Sequence, residues 1–131
     1  MSDLRPIRAL FVVAAVYDGF LGAHFLLAPG PIFHHWHVTP PNHAGYVQFP
    51  GALLLVFAVM FAAIARDPVA NRNCILYGIL LKVAYCGIVF AYWFTSGIPI
   101  IWKPFAIIDL VFLWLFIWAD RGLRRIHPRS A

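Results

Sequence analysis

Charged residues are scarce in this sequence. Only 11% of its 131 residues are Asp, Glu, Lys or Arg, and 63% are hydrophobic. An ordinary soluble domain has roughly 25% charged and 45 to 50% apolar residues. The composition therefore excludes an ordinary soluble domain and predicts an integral membrane protein.

Cysteine is also scarce, and the sequence has no CxxC pair among its two cysteines. Along a helix, Cys74 and Cys86 would lie about 18 Å apart at the usual rise per residue, which is too far for a disulfide. Repeats, low-complexity segments and strand-like alternation are absent as well. These absences exclude a disulfide framework and a paired-thiol redox site.

Four apolar segments are each long enough for a helix that crosses a bilayer, which takes about 20 residues. They form one transmembrane domain over residues 1–131. The sequence therefore predicts an all-α fold, an integral membrane four-helix bundle. The predicted spans cover about residues 7–27, 45–65, 74–94 and 99–119, with an outer loop at 29–44 and a basic tail at 120–131.

The basic residues lie at the ends of these segments, and nearly all of them lie at ends that face the same side. Positively charged flanks are retained on the cytoplasmic side of a membrane. Only Lys103 lies in a flank on the other side. The pattern predicts that both termini are cytoplasmic, and it excludes the basic stripe of a nucleic-acid-binding protein. The residues on the predicted cytoplasmic side are Arg5, Arg8, Arg66, Arg72, Arg121, Arg124, Arg125 and Arg129.

Three ionisable residues lie at similar depth on three different predicted spans. At about 1.5 Å per residue, Asp18 lies about 16 Å from the cytoplasmic end of its span, Asp109 about 15 Å and Lys82 about 12 Å. Each such group costs about 2.5 to 3.5 kcal/mol at the centre of a span. We therefore expect Lys82 to pair with Asp18, Asp109 or both. Tyr85, one turn from Lys82, is a candidate hydrogen-bond partner for a carboxyl group.

This midplane polar layer has several interpretations. Two carboxylates and one ammonium leave a formal charge of −1, which favours bound protons or cations. The layer could serve as a proton or cation relay, or as the polar anchor of a ligand cavity. It could equally be a structural ion pair that fixes the register of the helices.

Small residues on the first span predict close helix packing. Ala15, Gly19 and Ala23 repeat every four residues, and Gly22 follows Asp18 in the adjacent row. Small residues let helix backbones approach closely in a membrane. The first span should therefore contact its neighbours along these rows.

Histidines are concentrated near the predicted outer face. His34 and His37 are three residues apart, so they would share one face of a short helix. Copper or zinc needs three or four ligands, which His35, His43 or His24 would complete. The alternative is a polar interfacial loop without a ligand. If residues 31–38 form an interfacial helix, Ile32, Phe33 and Trp36 are expected to dip into the bilayer.

Several residues in the outer third of the predicted spans are candidates for the mouth of a cavity between the helices. They are His24, Gln48 and Lys103, close to Pro50 and Pro104. Lys103 could bind an anionic group there. Alternatively, Lys103 extends to the interface and both prolines lie in first helical turns.

Three stretches carry a resemblance to small bacterial membrane proteins with four spans. They are YVQFPG at 46–51, YGILLK at 77–82 and WKPF at 102–105, the last followed by Asp109. In size and layout the chain also resembles DoxX-like membrane proteins. The resemblance implies a multi-pass protein of the bacterial cytoplasmic (inner) membrane. DoxX-like proteins are associated with quinone or thiol redox complexes, but the resemblance implies no catalytic residue in this chain.

Three classes of function follow, and the first is favoured. In the first, the chain is an accessory or ligand-binding membrane protein. In the second, it is a membrane enzyme or redox subunit whose Asp18, Lys82 and Asp109 act on a quinone or isoprenoid. In the third, it is a small ion or metal transporter that collects copper or zinc on the histidine-rich outer loop. Expected partners are membrane lipid and either a second copy of the chain or a larger membrane complex.

Overall fold

The chain folds into four long helices and one short one. The computed structural model describes residues 3–126, and within that range its regular structure is entirely helical, which confirms the all-α prediction. The part of the predicted basic tail at 127–131, including Arg129, lies outside the described residues. The helices are α1 (Arg5–Leu27), α2 (Pro29–His35), α3 (Gly45–Arg66), α4 (Arg72–Trp93) and α5 (Trp102–Ile126).

The four long helices are each long and apolar enough to cross a membrane. They contain 23, 22, 22 and 25 residues, against about 20 needed for the hydrocarbon core of a bilayer. This architecture is compatible with a small multi-pass membrane protein.

The fourth long helix differs most from its predicted span. It begins at Trp102 instead of residue 99 and continues to Ile126. Residues 94–101 instead connect α4 to α5 without a regular helix, and Gly97 there has a φ of 90°, a conformation that favours glycine. Pro104 consequently lies in the first turn of α5, where its missing N–H would have had no partner within the helix.

The short helix α2 ends in a left-handed residue. The φ of His37 is 55°, at a position that glycine usually occupies because it has no Cβ. The Val38 N–H donates to the Phe33 carbonyl at 2.9 Å, and the His37 N–H donates to the His34 carbonyl at 3.1 Å. These are the two hydrogen bonds of a Schellman motif, and they stop α2 after two turns.

Helix α2 covers one end of the bundle. Phe33 is 2% exposed and belongs to a buried cluster with Phe25 and Ile101, against which Ile32 also packs. Its ring lies 6.0 Å from that of Trp102. The prediction that Phe33 dips into the bilayer is therefore wrong, because its side chain fills the space between α2 and the long helices. Ile32 is only partly buried and Trp36 is exposed, so their contact with lipid stays a prediction.

Helices α1 and α3 are antiparallel and in backbone contact. A Cβ on Gly22 would lie 2.6 Å from the Gly51 carbonyl oxygen, and a Cβ on Gly51 would lie 2.9 Å from the Gly22 carbonyl oxygen. Nearby, the Gln48 side-chain amide donates to the Leu26 carbonyl at 3.2 Å. The close packing predicted for the small residues of α1 is thus present, and its partner at Gly22 is α3.

The opposite end of the bundle is filled by aromatic side chains. Phe11, Phe61 and Phe116 are fully buried, and the ring of Phe11 stacks on that of Phe116 with centroids 4.9 Å apart. At the same end, the Arg8 guanidinium donates to the Arg66 carbonyl at 2.9 Å. We call this end of the bundle the basic end and the other the α2 end.

Candidate functional site

An ion-paired triad lies between the two ends of the bundle. Lys82 and Asp18 are each 1% exposed. The Lys82 Nζ lies 3.2 Å from Asp18 Oδ1 and 3.3 Å from Asp18 Oδ2, and 3.0 Å from Asp109 Oδ1. The predicted pairing of Lys82 with both carboxylates is therefore confirmed, and it joins α1, α4 and α5.

Aromatic rings surround the Lys82 ammonium. The Nζ lies 5.8 Å from the ring centroid of Tyr17, 5.9 Å from that of Phe61 and 5.3 Å from that of Phe112. Ring faces at such distances attract a cation, most strongly where water is excluded. An ammonium has three N–H donors, and three carboxylate oxygens lie within its reach. The Lys82 ammonium is therefore held between two carboxylates and three aromatic rings.

The two carboxylates of the triad are not equivalent. Both oxygens of Asp18 contact Lys82, whereas only Oδ1 of Asp109 does. Asp109 Oδ2 accepts no hydrogen bond from any residue in the described range 3–126. The side chain of Asp109 is 12% exposed and that of Asp18 is 1% exposed, so Asp109 is the more accessible carboxylate.

A cavity of about 360 Å³ leads from the α2 end to this triad. Its walls come from all four long helices and are almost entirely apolar, while Asp18 and Asp109 stand at its polar end. It opens beside Tyr46, Pro50 and Leu53 on α3, all of which are exposed. The apolar walls include Leu21, Phe25, Leu54, Leu81, Trp102 and Phe105.

Two tyrosines lie near the triad, and only one of them was a predicted site residue. The Tyr85 hydroxyl donates to the Trp102 carbonyl at 2.9 Å instead of pairing with a carboxyl group, although its side chain lines the cavity. Sequence reasoning missed Tyr17, whose ring packs on Phe112 with centroids 5.5 Å apart. Among residues 3–126, its hydroxyl is the one buried side-chain polar atom without a hydrogen-bond partner. Its position next to Asp18 in the sequence could have indicated that it lies near the triad.

The three predicted mouth residues do not line the cavity. His24 stacks on Phe20 with ring centroids 6.4 Å apart, and Gln48 is hydrogen-bonded to the backbone of α1. The Lys103 ammonium lies 5.0 Å from the ring centroid of Trp93. Pro50, which lies two residues from Gln48, does line the cavity.

The histidine loop is not assembled into a metal site. His34, His35, His37 and His43 are all exposed. His43 Nδ1 accepts a hydrogen bond from the Gly45 N–H at 3.0 Å, at the start of α3. His34 and His37 border one shallow groove, but no third histidine lines it. Within residues 3–126, no group of three or more His, Cys, Asp or Glu side chains is arranged to hold a metal ion.

Comparisons of the chain with protein-family models, curated proteins and solved structures found no match. The resemblance to DoxX-like proteins gains no support from them. The function must therefore be argued from the geometry of the cavity and the triad.

Proposed function

We propose that this chain is a multi-pass membrane protein that binds a small, largely apolar ligand between its helices. The observation that carries the proposal is the apolar cavity of about 360 Å³ that ends on Asp18 and Asp109. Ligand sites are typically apolar cavities of about 300 to 1,000 Å³ with a few fixed polar groups. An ionisable group deep in a membrane protein is also more often functional than elsewhere, because its burial is costly.

The outer surface of the helices supports membrane insertion. Large apolar side chains point outward on the long helices, among them Phe20 (76% exposed), Val59 (72%) and Trp114 (68%). Water would oppose such exposure, whereas lipid tails accept it. Helices also satisfy most of their backbone hydrogen bonds internally, as a bilayer requires.

We propose further that the basic end faces the cytoplasm of a bacterial cell, with the chain in its cytoplasmic membrane. Two single-cysteine variants, Ser96→Cys and Arg124→Cys, test this in a chain whose Cys74 and Cys86 are replaced by alanine. Lys and Arg flanks remain on the cytoplasmic side, so a membrane-impermeant maleimide added to whole cells should label Ser96→Cys. It should label Arg124→Cys only after the cells are permeabilised. The reverse pattern would contradict the proposed orientation.

Ligand binding is favoured over transport by the packing at the basic end. Phe11, Phe61 and Phe116 are fully buried there, and none of them lines the cavity. The exposed residues of the cavity lie toward the α2 end, and a packed aromatic layer lies beyond the triad. A site with this shape suits a bound ligand better than a passing ion.

Adjacent leucines on α4 provide a matched test of ligand binding. Leu81 lines the cavity, while Leu80 is 52% exposed on the outer surface. Leu81→Trp should fill part of the cavity and remove the ligand, and Leu80→Trp should retain it. The measurement is native mass spectrometry of protein purified from membranes, with the released ligand identified after denaturation.

Overpacking can destabilise a protein by about 1 to 3 kcal/mol, so thermal melting of both variants accompanies this test. Leu53→Trp provides a second blocking variant, because Leu53 lies at the opening and is 42% exposed. If the unmodified protein carries no ligand, or if both blocking variants keep full occupancy, the proposal fails.

A further inference from the structure

We infer that the ligand carries a positively charged amine at one end of an apolar body, and that this amine binds Asp109 Oδ2. The inference rests on the proposed function and specifies the chemical class of the ligand. It depends on which polar atoms of the triad remain open to the cavity, on the charge of the triad and on the nature of the cavity walls.

The hydrogen-bonding pattern of the triad favours a ligand whose head group donates a hydrogen bond over one whose head group accepts it. The Lys82 Nζ lies 3.0 to 3.3 Å from Asp18 Oδ1, Asp18 Oδ2 and Asp109 Oδ1. Lys82 is 1% exposed and does not line the cavity, so a quinone carbonyl in the cavity would find no hydrogen-bond donor on this lysine. Asp109 is 8% exposed, lines the cavity and has an oxygen, Oδ2, without a partner in the described chain. That oxygen is an acceptor, and it calls for a ligand with a hydrogen-bond donor.

The charge of the triad favours a ligand whose hydrogen-bond donor is positively charged. With all three groups ionised, two carboxylates and one ammonium carry a net charge of −1. An uncompensated charge is costly in surroundings of low dielectric constant, and a ligand ammonium would neutralise it. An anionic head group, such as a diphosphate, would instead be repelled. The other titratable groups near Asp109 are Tyr17, Tyr85 and Cys86, and none of them adds a positive charge.

The walls of the cavity suit an apolar cation. Phe25, Tyr85, Trp102 and Phe105 line the cavity, and aromatic ring faces attract ammonium groups. Lys82 in the same bundle already has three rings around its Nζ. The remaining wall is aliphatic, which fits the apolar body of the ligand.

The opening of the cavity indicates where such a ligand enters. Tyr46, Pro50 and Leu53 are exposed on α3, and they face the cavity together with Leu81 and Tyr85 of α4. Helices α3 and α4 are joined at the basic end, where Gly78 packs against Phe61. The cavity residues of both helices lie on the α2 side of this contact. In a membrane, an amphiphilic amine would therefore enter between α3 and α4 from the lipid.

A matched series of three probes tests the inference on the purified full-length protein. The probes are 4-phenylbutylamine, 4-phenylbutanol and 4-phenylbutanoate, which share one apolar body and differ in the head group. Binding is measured by titration calorimetry with the protein in lipid nanodiscs and with empty nanodiscs as the blank. We expect the amine to bind at least about tenfold more tightly than the alcohol, because both donate to the Asp109 carboxylate but only the ammonium neutralises the charge of the triad. We expect no binding of the carboxylate.

Asp109→Asn should reduce the affinity for the amine at least about tenfold and remove its preference over the alcohol, because the amide has no negative charge to pair with the ammonium. The matched control is Asp120→Asn on the same helix, because Asp120 pairs with Arg124 at 2.9 Å and does not line the cavity. If Asp109→Asn fails to fold, the ranking of the three probes on the unmodified protein decides the question.

The possible failures are distinguishable. If the alcohol or the carboxylate binds as tightly as the amine and Leu81→Trp abolishes that binding, the cavity is a ligand site but the inferred amine is wrong. If no probe binds in a manner sensitive to Leu81→Trp, and the purified protein carries no ligand, the proposed function is wrong as well.

Discussion

Replacing Lys82 with methionine is expected to lower the free energy of unfolding by about 3 to 5 kcal/mol, the usual loss when one partner of a buried ion pair is removed. Two carboxylates would then lie beside each other in the centre of the bundle without a counter-charge. Asp18 would be affected most, because both of its oxygens contact Lys82. The measurement is reversible unfolding in mixed micelles, or steric trapping in bicelles.

The other lysine of the chain is the matched control for this prediction. Lys103 and Trp93 are both half-buried and in contact near the α2 end, and Lys103→Met should remove no more than about 2 kcal/mol, the value of a largely desolvated cation–π contact. A triple variant, Asp18→Asn with Lys82→Met and Asp109→Asn, contains no charge in the triad and should recover much of the lost stability. Equal losses for Lys82→Met and Lys103→Met would show that the triad does not stabilise the fold.

Gly22→Ala is expected to lower the free energy of unfolding by about 1 to 3 kcal/mol, as overpacking of a tight contact does. The added Cβ would lie 2.6 Å from the Gly51 carbonyl oxygen and 2.9 Å from the Leu54 Cβ. The nearest atom belongs to the backbone of α3 and cannot rotate away, so the two helices must separate. Unfolding measurements on Gly22→Ala and on the reciprocal variant Gly51→Ala test the contact from both sides.

Gly87 on α4 provides the control for a glycine that is not at a helix contact. A Cβ there would meet no atom within 4 Å. Gly87→Ala should leave the stability unchanged or raise it by up to about 1 kcal/mol, the difference in helix propensity between the two residues. If Gly22→Ala were as harmless as Gly87→Ala, the close approach of α1 and α3 would be wrong.

The meeting of Asp18, Lys82 and Asp109 could be predicted from the sequence for a physical reason. The rise per residue of a helix is fixed, so the depth of Asp18, Lys82 and Asp109 follows from their distance to the end of each span. An isolated charge in a membrane protein is costly, and it therefore faces the interior and finds a partner. Gly22 could be predicted for a different reason, because small residues at a regular spacing mark a contact between helices in a membrane.

The cavity could not be predicted in the same way. In a soluble protein the apolar stripe of a helix marks its buried face, but the helices of this chain are apolar on every face. Leu80 and Leu81 have the same hydropathy, yet Leu81 lines the cavity and Leu80 faces outward. Hydropathy thus leaves the rotation of each helix undetermined except where a charged or small residue fixes it.

The errors near the α2 end have a related cause. Phe33 was predicted to face lipid because it shares a helix face with Ile32, yet it packs on Trp102. Tyr85 was matched with a carboxyl group, yet its hydroxyl reaches the Trp102 carbonyl. Both contacts depend on where α5 begins, at Trp102 and not at residue 99, and local sequence did not reveal that boundary.

The distribution of the triad over the helices has a consequence for the biogenesis of the chain. Lys82 and Asp109 lie on the successive helices α4 and α5, so this later hairpin contains its own counter-charge. Residues 9–65, which cover nearly all of α1 and α3, contain neither Lys nor Arg. Asp18 precedes Lys82 by 64 residues, so at about 5 to 20 residues per second of synthesis it waits about 3 to 13 s for its partner. For a chain inserted as proposed, the Asp18 carboxyl group must be protonated or in contact with the insertion machinery during this time. It can pair with Lys82 only once α4 has been inserted.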